Sequence, residues 1–208
     1  MLRRELLCCG MLAVVGVGIT IQGREENKKD SLCGVRENQA DAGPLNKSPK
    51  WGKENIRYLI MGRDDDLERE VWDKQFSMAF DSWSEVTPLT FSPVGRSEEY
   101  DILISVSGRK REKFGHRGGV LAWAQLPPYY NFDGVLISKF DTAENWVLPD
   151  SKMKGTILLS VATHEIGHLL GLDHSSDPTS LMFPYINNSL KPQEEDISRI
   201  QKLYGKPK

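Results

Sequence analysis

The chain has 208 residues, 39% of them hydrophobic, with 27 basic and 29 acidic side chains and a formal net charge of −2. That length suits one globular domain with flanking segments and is too short for two full domains plus a signal. Basic and acidic residues are interspersed, which excludes the clustered basic excess of a nucleic-acid surface.

The N-terminus differs from the rest. Arg3 and Arg4 precede an apolar run from Leu6 to Ile21, and a charged stretch from Arg24 to Asp30 follows. A basic start and a short apolar stretch read as a secretory signal over residues 1–23. An uncleaved anchor is the alternative, because the run is long for a signal core and ends without a clean Ala-x-Ala site. Both readings put the remainder outside the cytosol, and secretion is the expectation. Residues 24–48 are polar, lack apolar periodicity and read as a short pro-segment. Cys8 and Cys9 lie in the apolar run, which leaves Cys33 as the sole thiol of the mature chain. One cysteine makes no internal disulfide.

Order is expected to begin near Trp51, opening a domain over residues 49–208. Ile56–Met61 reads as a strand. Val71, Phe76, Ala79, Phe80 and Trp83 recur at helical spacing within Leu67–Val86. Pro88 closes that helix. Leu89–Val94, Asp101–Val106, Val120–Ala124 and Val135–Phe140 read as further strands. Thr156–Leu172 and Gln193–Tyr204 read as two more helices, the second with Gly205 after it. Strands early and helices late predict an α+β arrangement. Asn46 and Asn187 begin glycosylation sequons.

The chemistry concentrates in one window. His164-Glu165-Ile166-Gly167-His168 puts two imidazoles four residues apart, on one face of a helix. Gly171 can end the helix in a left-handed conformation and turn the chain back. His174 is thereby brought to the same ion. Three of the chain's four histidines fall here. Three neutral imidazoles leave a fourth zinc position open, the arrangement of a catalytic rather than a closed structural site. Glu165, beside the first ligand, has the chemistry of a general base.

This extended motif, followed by Ser180-Leu181-Met182-Phe183-Pro184 as a Met-turn, resembles the metzincin signature. Ser175 after the third histidine, the opening Pro49-Lys50-Trp51 and Trp83–Phe91 resemble the matrix metalloproteinases (matrixins). Gly119–Ala122, Phe140-Asp141 and Ile197–Gly205 extend the likeness over nearly everything after Cys33. The chain resembles the minimal matrilysin type, without a hemopexin-like domain. The resemblance implies a zincin-like catalytic domain with a five-stranded twisted mixed sheet and three helices. It implies a monomeric zinc endopeptidase with protein or peptide substrates, extracellular matrix among them, and a proteinaceous metalloprotease inhibitor as partner. The alternative is a non-catalytic, matrix-binding relic, against which the intact Glu165 argues.

The resemblance also assigns roles residue by residue. Cys33-Gly34-Val35 resembles the core of a cysteine switch, with Cys33 on the zinc in the latent form, although Ser31-Leu32 and Arg36-Glu37 depart from the family's flanks. Asp141 and Glu144 match calcium-binding carboxylates. Ser160, Met182, Pro184 and Tyr185 match substrate-pocket positions, and the small Ser160 implies an open pocket. A second, structural zinc is expected to be absent. Trp123 and Lys139 stand where the family has histidines, and His116 alone cannot make a four-ligand set.

Overall fold

The computed structural model of the chain describes residues 32–36, 48–62, 67–107, 114 and 117–208. The segment expected as a signal, most of that expected as a pro-segment, and His116 lie outside these residues. Among the described residues no helix is long and apolar enough to cross a membrane.

The strands are β1 (Leu32–Arg36), β2 (Lys50–Trp51), β3 (Asn55–Met61), β4 (Thr90–Pro93), β5 (Ile102–Ser107), β6 (Val120–Gln125), β7 (Tyr130–Phe132), β8 (Leu136–Asp141), β9 (Trp146–Val147) and β10 (Thr156–Ile157). The helices are α1 (Arg69–Ser84), α2 (Leu158–Leu169) and α3 (Glu194–Tyr204). All five expected strands and all three helices are present, their ends shifted by a few residues. The main sheet runs β1-β6-β8-β5-β3-β4. It is mixed: β6 is antiparallel to β8, and the other neighbours are parallel.

Two differences from the sequence reading concern the site. Thr156 and Ile157 do not start the helix but pair with β9, Thr156 opposite Trp146. Their β-branched side chains suit a strand better than a first helical turn. The second difference is β1. Order does not begin at Trp51, because Leu32–Arg36 already joins the sheet as a sixth strand, parallel to β6. Leu32 pairs with Val120 and Arg36 with Gln125, with an irregularity between Leu32 and Gly34. Five residues with a central glycine carry too little alternation to announce a strand, and the partner lies far along the chain.

The core is aromatic. On α1, Trp72, Phe76, Ala79, Phe80 and Trp83 form one buried stripe, the 3.6-residue period turned inward. Phe80 stacks on Tyr58 of β3 at 4.1 Å, and Trp72 and Phe76 meet Phe140 of β8 edge-on. Burying one such ring removes about 150–250 Å² from water, or roughly 4–6 kcal/mol at about 25 cal/mol per Å². The indole nitrogens find carbonyls: Trp83 donates to Thr163 O at 3.0 Å and Trp51 to Leu169 O at 2.8 Å. Both acceptors belong to α2, every residue of which is buried. A helix enclosed on all sides has little freedom to shift, and it is the helix that carries the motif.

Candidate active site

His164 and His168 project from the same face of α2, with their Nε2 atoms 3.1 Å apart. Their Nδ1 atoms face backbone carbonyls, His164 toward Leu181 O at 2.6 Å and His168 toward Leu172 O at 2.7 Å. A carbonyl only accepts, so each Nδ1 must carry the proton and each Nε2 a lone pair. Two lone pairs at this separation repel unless a cation lies between them. His174 completes the set, with the ligand nitrogens of all three residues within 4.8 Å of one another. Its Nε2 is buried and has no hydrogen-bond partner among the described residues. These three donors fit a zinc ion. They form the one group of three or more metal-capable side chains among the described residues.

Electrostatics keep the imidazoles in their ligand form. Burial pushes His164 down to about 4, and the Leu181 carbonyl offsets only part of that. Burial, then the neighbouring His164 and His174, hold His168 well below the ordinary histidine range. His174 is lowered as well, first by burial, with Asp173 opposing and Arg199 assisting. All three are therefore neutral at pH 7.

Gly171 has φ +100° and turns the chain out of α2 toward His174. A Cβ there would lie 2.5 Å from Pro49 O, so both conformation and space require glycine. Beneath the site, a Cβ on Gly167 would lie 2.4 Å from Met182 Sδ. Met182, fully buried, is thus the floor under α2 that the Met-turn implies. Glu165 is also fully buried, one residue after the first ligand.

Asp196 of α3 holds the Met-turn. Its carboxylate accepts from Ser180 Oγ, from Leu181 N at 2.8 Å and Met182 N at 3.3 Å, and from Gln193 N at 2.9 Å. The sequence reading did not single out Asp196. An acid at the third position of a helix, three after Gln193, is a capping-box signal. The acidic run Glu194-Glu195-Asp196 hides it among side chains that merely suit the helix dipole.

The remaining expected positions are distributed as follows. Ser160, one turn before His164, is 1% exposed, Pro184 is half-buried, and Tyr185 is 43% exposed. Asn187 donates from Nδ2 to Pro178 O at 3.0 Å and to Ser180 O at 2.8 Å, which pins the loop after the Met-turn. Asp141 and Glu144 are both buried at the end of β8. Asp141 accepts from Ala143 N, and Glu144 accepts from Gly118 N at 2.7 Å. Buried carboxylate oxygens beside a backbone turn suit calcium. Trp123 and Lys139 pair directly across β6 and β8, with the Lys139 ammonium 5.6 Å from the indole. An ammonium and an indole offer no lone pair to a metal. Cys33 lies within β1, at its irregularity.

An α+β domain that gathers three imidazoles from a buried HExxH helix and its following turn, over a methionine floor, is of the zincin kind. The matrixin family (peptidase family M10) matches residues 50–205, and the chain belongs to that family. Matrixins use catalytic zinc and calcium. The chain is 40% identical over 208 residues to stromelysin-1 of Rattus norvegicus, covering 92% of this chain and 41% of the relative. It is 40% identical over 166 residues to macrophage metalloelastase of Oryctolagus cuniculus, covering 76% and 34%. Stromelysin-2 of Rattus norvegicus is 42% identical over 166 residues, covering 76% and 33%. The chain thus spans about a third to two fifths of the curated relatives it matches.

Proposed function

We propose that this chain is a zinc-dependent endopeptidase of extracellular proteins, made as a zymogen. The observation that carries the reading is the convergence of His164, His168 and His174 next to the buried Glu165. Zinc, when bound, supplies a Lewis acid that polarises a peptide carbonyl and acidifies a water to a pKa of about 7. The chain's own residues do the rest. Leu181 O and Leu172 O fix the tautomers of His164 and His168. Glu165 takes a proton on its carboxylate and returns it to the leaving amine.

Substrate binding follows from the sheet. An extended peptide gains main-chain hydrogen bonds by adding to an exposed strand edge. The side of β6 away from β8 is the edge such a peptide would extend, and β1 is paired along it. Leu32–Arg36 therefore competes with substrate for the same backbone groups and must leave before a peptide binds. Cys33, within that strand, supplies a thiolate, a strong zinc ligand, as the latch. Ser160, Pro184 and Tyr185 flank the pocket, with Met182 below. The names of the relatives, an elastase among them, support matrix proteins as substrates and a secreted or membrane-anchored setting. Asp141 and Glu144 would hold calcium, a proteinaceous metalloprotease inhibitor would fit the same cleft, and the enzyme acts as a monomer.

Two measurements test this. Mass spectrometry of a protein mixture treated with the processed chain is expected to map internal cuts that are missing with a Glu165→Ala sample. Identical peptide maps for the two sink the endopeptidase reading. For latency, Cys33→Ser is expected to raise the initial rate of the unprocessed full chain by about tenfold or more, as loss of a zinc-bound thiolate should. Equal rates for the two unprocessed forms on one quenched peptide mean that no thiol latch operates.

A further inference from the structure

The three zinc ligands are not oriented alike. His164 and His168 each have a ring nitrogen fixed by a backbone carbonyl. The ring of His174 makes no such bond among the described residues. Among the described residues its backbone N–H donates to Asp173 Oδ1 at 2.8 Å. His174 also lies outside α2, on a turn, where nothing in the helix sets its direction. Its placement must come from whatever holds that turn.

The turn is held by α3 on both sides of the ligand. Arg199 Nη2 donates to the carbonyl of Asp173, the residue before His174, at 2.7 Å. The hydroxyl of Ser175, the residue after it, donates to Glu195 Oε2. Glu195 and Arg199 are four apart on one helix, so they share a face and lie one turn from each other. Ser175 is 5% exposed, and its backbone N–H donates to Met182 O at 2.8 Å. Further back, Tyr204 Oη donates to Leu170 O at 2.8 Å and accepts from Trp51 N at 3.1 Å. That bond fixes the end of α2 from which the turn departs.

We infer that α3 is the positioning element for the third zinc ligand, with Glu195 and Arg199 bracketing His174 through the backbone and side chain of its neighbours. They do for His174 what the Leu181 and Leu172 carbonyls do for the other two imidazoles. Neither residue belongs to the group of metal-capable side chains. The inference rests on the zinc site described above and adds the residues that orient it.

The test is zinc affinity rather than turnover. The full-length chain carrying Glu165→Ala and Cys33→Ser avoids both self-digestion and thiol ligation. Its zinc dissociation constant is measured by competition with a chromophoric chelator at neutral pH. Arg199→Ala and Glu195→Ala are each expected to weaken zinc by about 10- to 100-fold, the usual loss when an outer-shell partner is removed. The melting temperature of the chelated form should stay unchanged, and the visible spectrum of the cobalt-loaded form should shift. Arg199→Lys and Glu195→Gln, which keep a donor and an acceptor, should bind within about threefold of the parent, as should Lys202→Ala on an exposed part of α3. Should either alanine variant fail to fold, Ser175→Ala removes the hydroxyl bond from the turn side and should give the same loss. Unchanged zinc affinity in these variants overturns the inference. So does an equal loss in the conservative variants, which would assign the effect to packing. A parent protein that binds no zinc overturns the metal site itself, and the bracket with it.

Discussion

Glu165→Ala is expected to lower peptide hydrolysis by at least about 10²-fold, the contribution of a positioned general base, and to leave zinc bound. The two effects separate because Glu165 is not a ligand: the metal-facing nitrogens belong to His164, His168 and His174. Alanine is also the best helix former, so α2 should not loosen. The side chain is fully buried, and removing a buried carboxylate also removes its desolvation cost, so folding should tolerate the change. Initial rates and metal content of purified, processed protein decide it. Activity near wild type with zinc in place would remove Glu165 from the mechanism. Loss of zinc along with activity would make it a structural residue.

The second large effect is expected at Asp196. One carboxylate serves four donors there: the Ser180 hydroxyl and the backbone N–H groups of Leu181, Met182 and Gln193. Asp196→Ala leaves these buried groups without an acceptor. Each orphaned donor costs about 1–3 kcal/mol before relaxation, so a total near 4 kcal/mol is reasonable. For a domain of this size that lowers Tm by about 8–16 °C. The damage should also reach the metal. Leu181 O sets the His164 tautomer, and Met182 supports Gly167, so a slack Met-turn should weaken zinc as well. Asp196→Asn, which keeps one acceptor oxygen, should fall between the two. Thermal melts with parallel zinc titrations measure both. An alanine variant that melts with wild type shows that water replaces the carboxylate at no cost.

How much of this is legible in the sequence follows the range of the interactions. The HExxHxxGxxH spacing is local, and helix geometry alone places His164 and His168 on one face. The spacing of Phe76, Ala79, Phe80 and Trp83 and the alternation Ile102-Ile104-Val106 are local too. They place α1 and β5 with ends shifted by a residue or two, although Val71, counted in that spacing, is only half-buried and Trp72 takes the inward position. The parts that escape are those where one segment meets another far away. Asp196 reads as one of three acids in a first helical turn, and its role exists only once Ser180–Met182 is folded against it. Glu195 and Arg199 are not singled out in the sequence, and each reaches the His174 turn only once α3 is folded against it. Trp51 reads as the opening of the domain, yet it is buried and its indole donates to the Leu169 carbonyl at the end of α2. Strand β1 escapes for the same reason, since its partner is β6 and its own five residues carry little pattern.

The metal site is tested most directly by removing and restoring zinc. Processed chain is treated with a zinc-selective chelator in the presence of calcium, dialysed, and assayed on a quenched peptide while zinc is titrated back. Activity should vanish on chelation and return in full at one equivalent of zinc, and a His168→Ala protein should stay inactive throughout. Hydrolysis that survives complete removal of zinc would contradict a metal-dependent site at His164, His168 and His174.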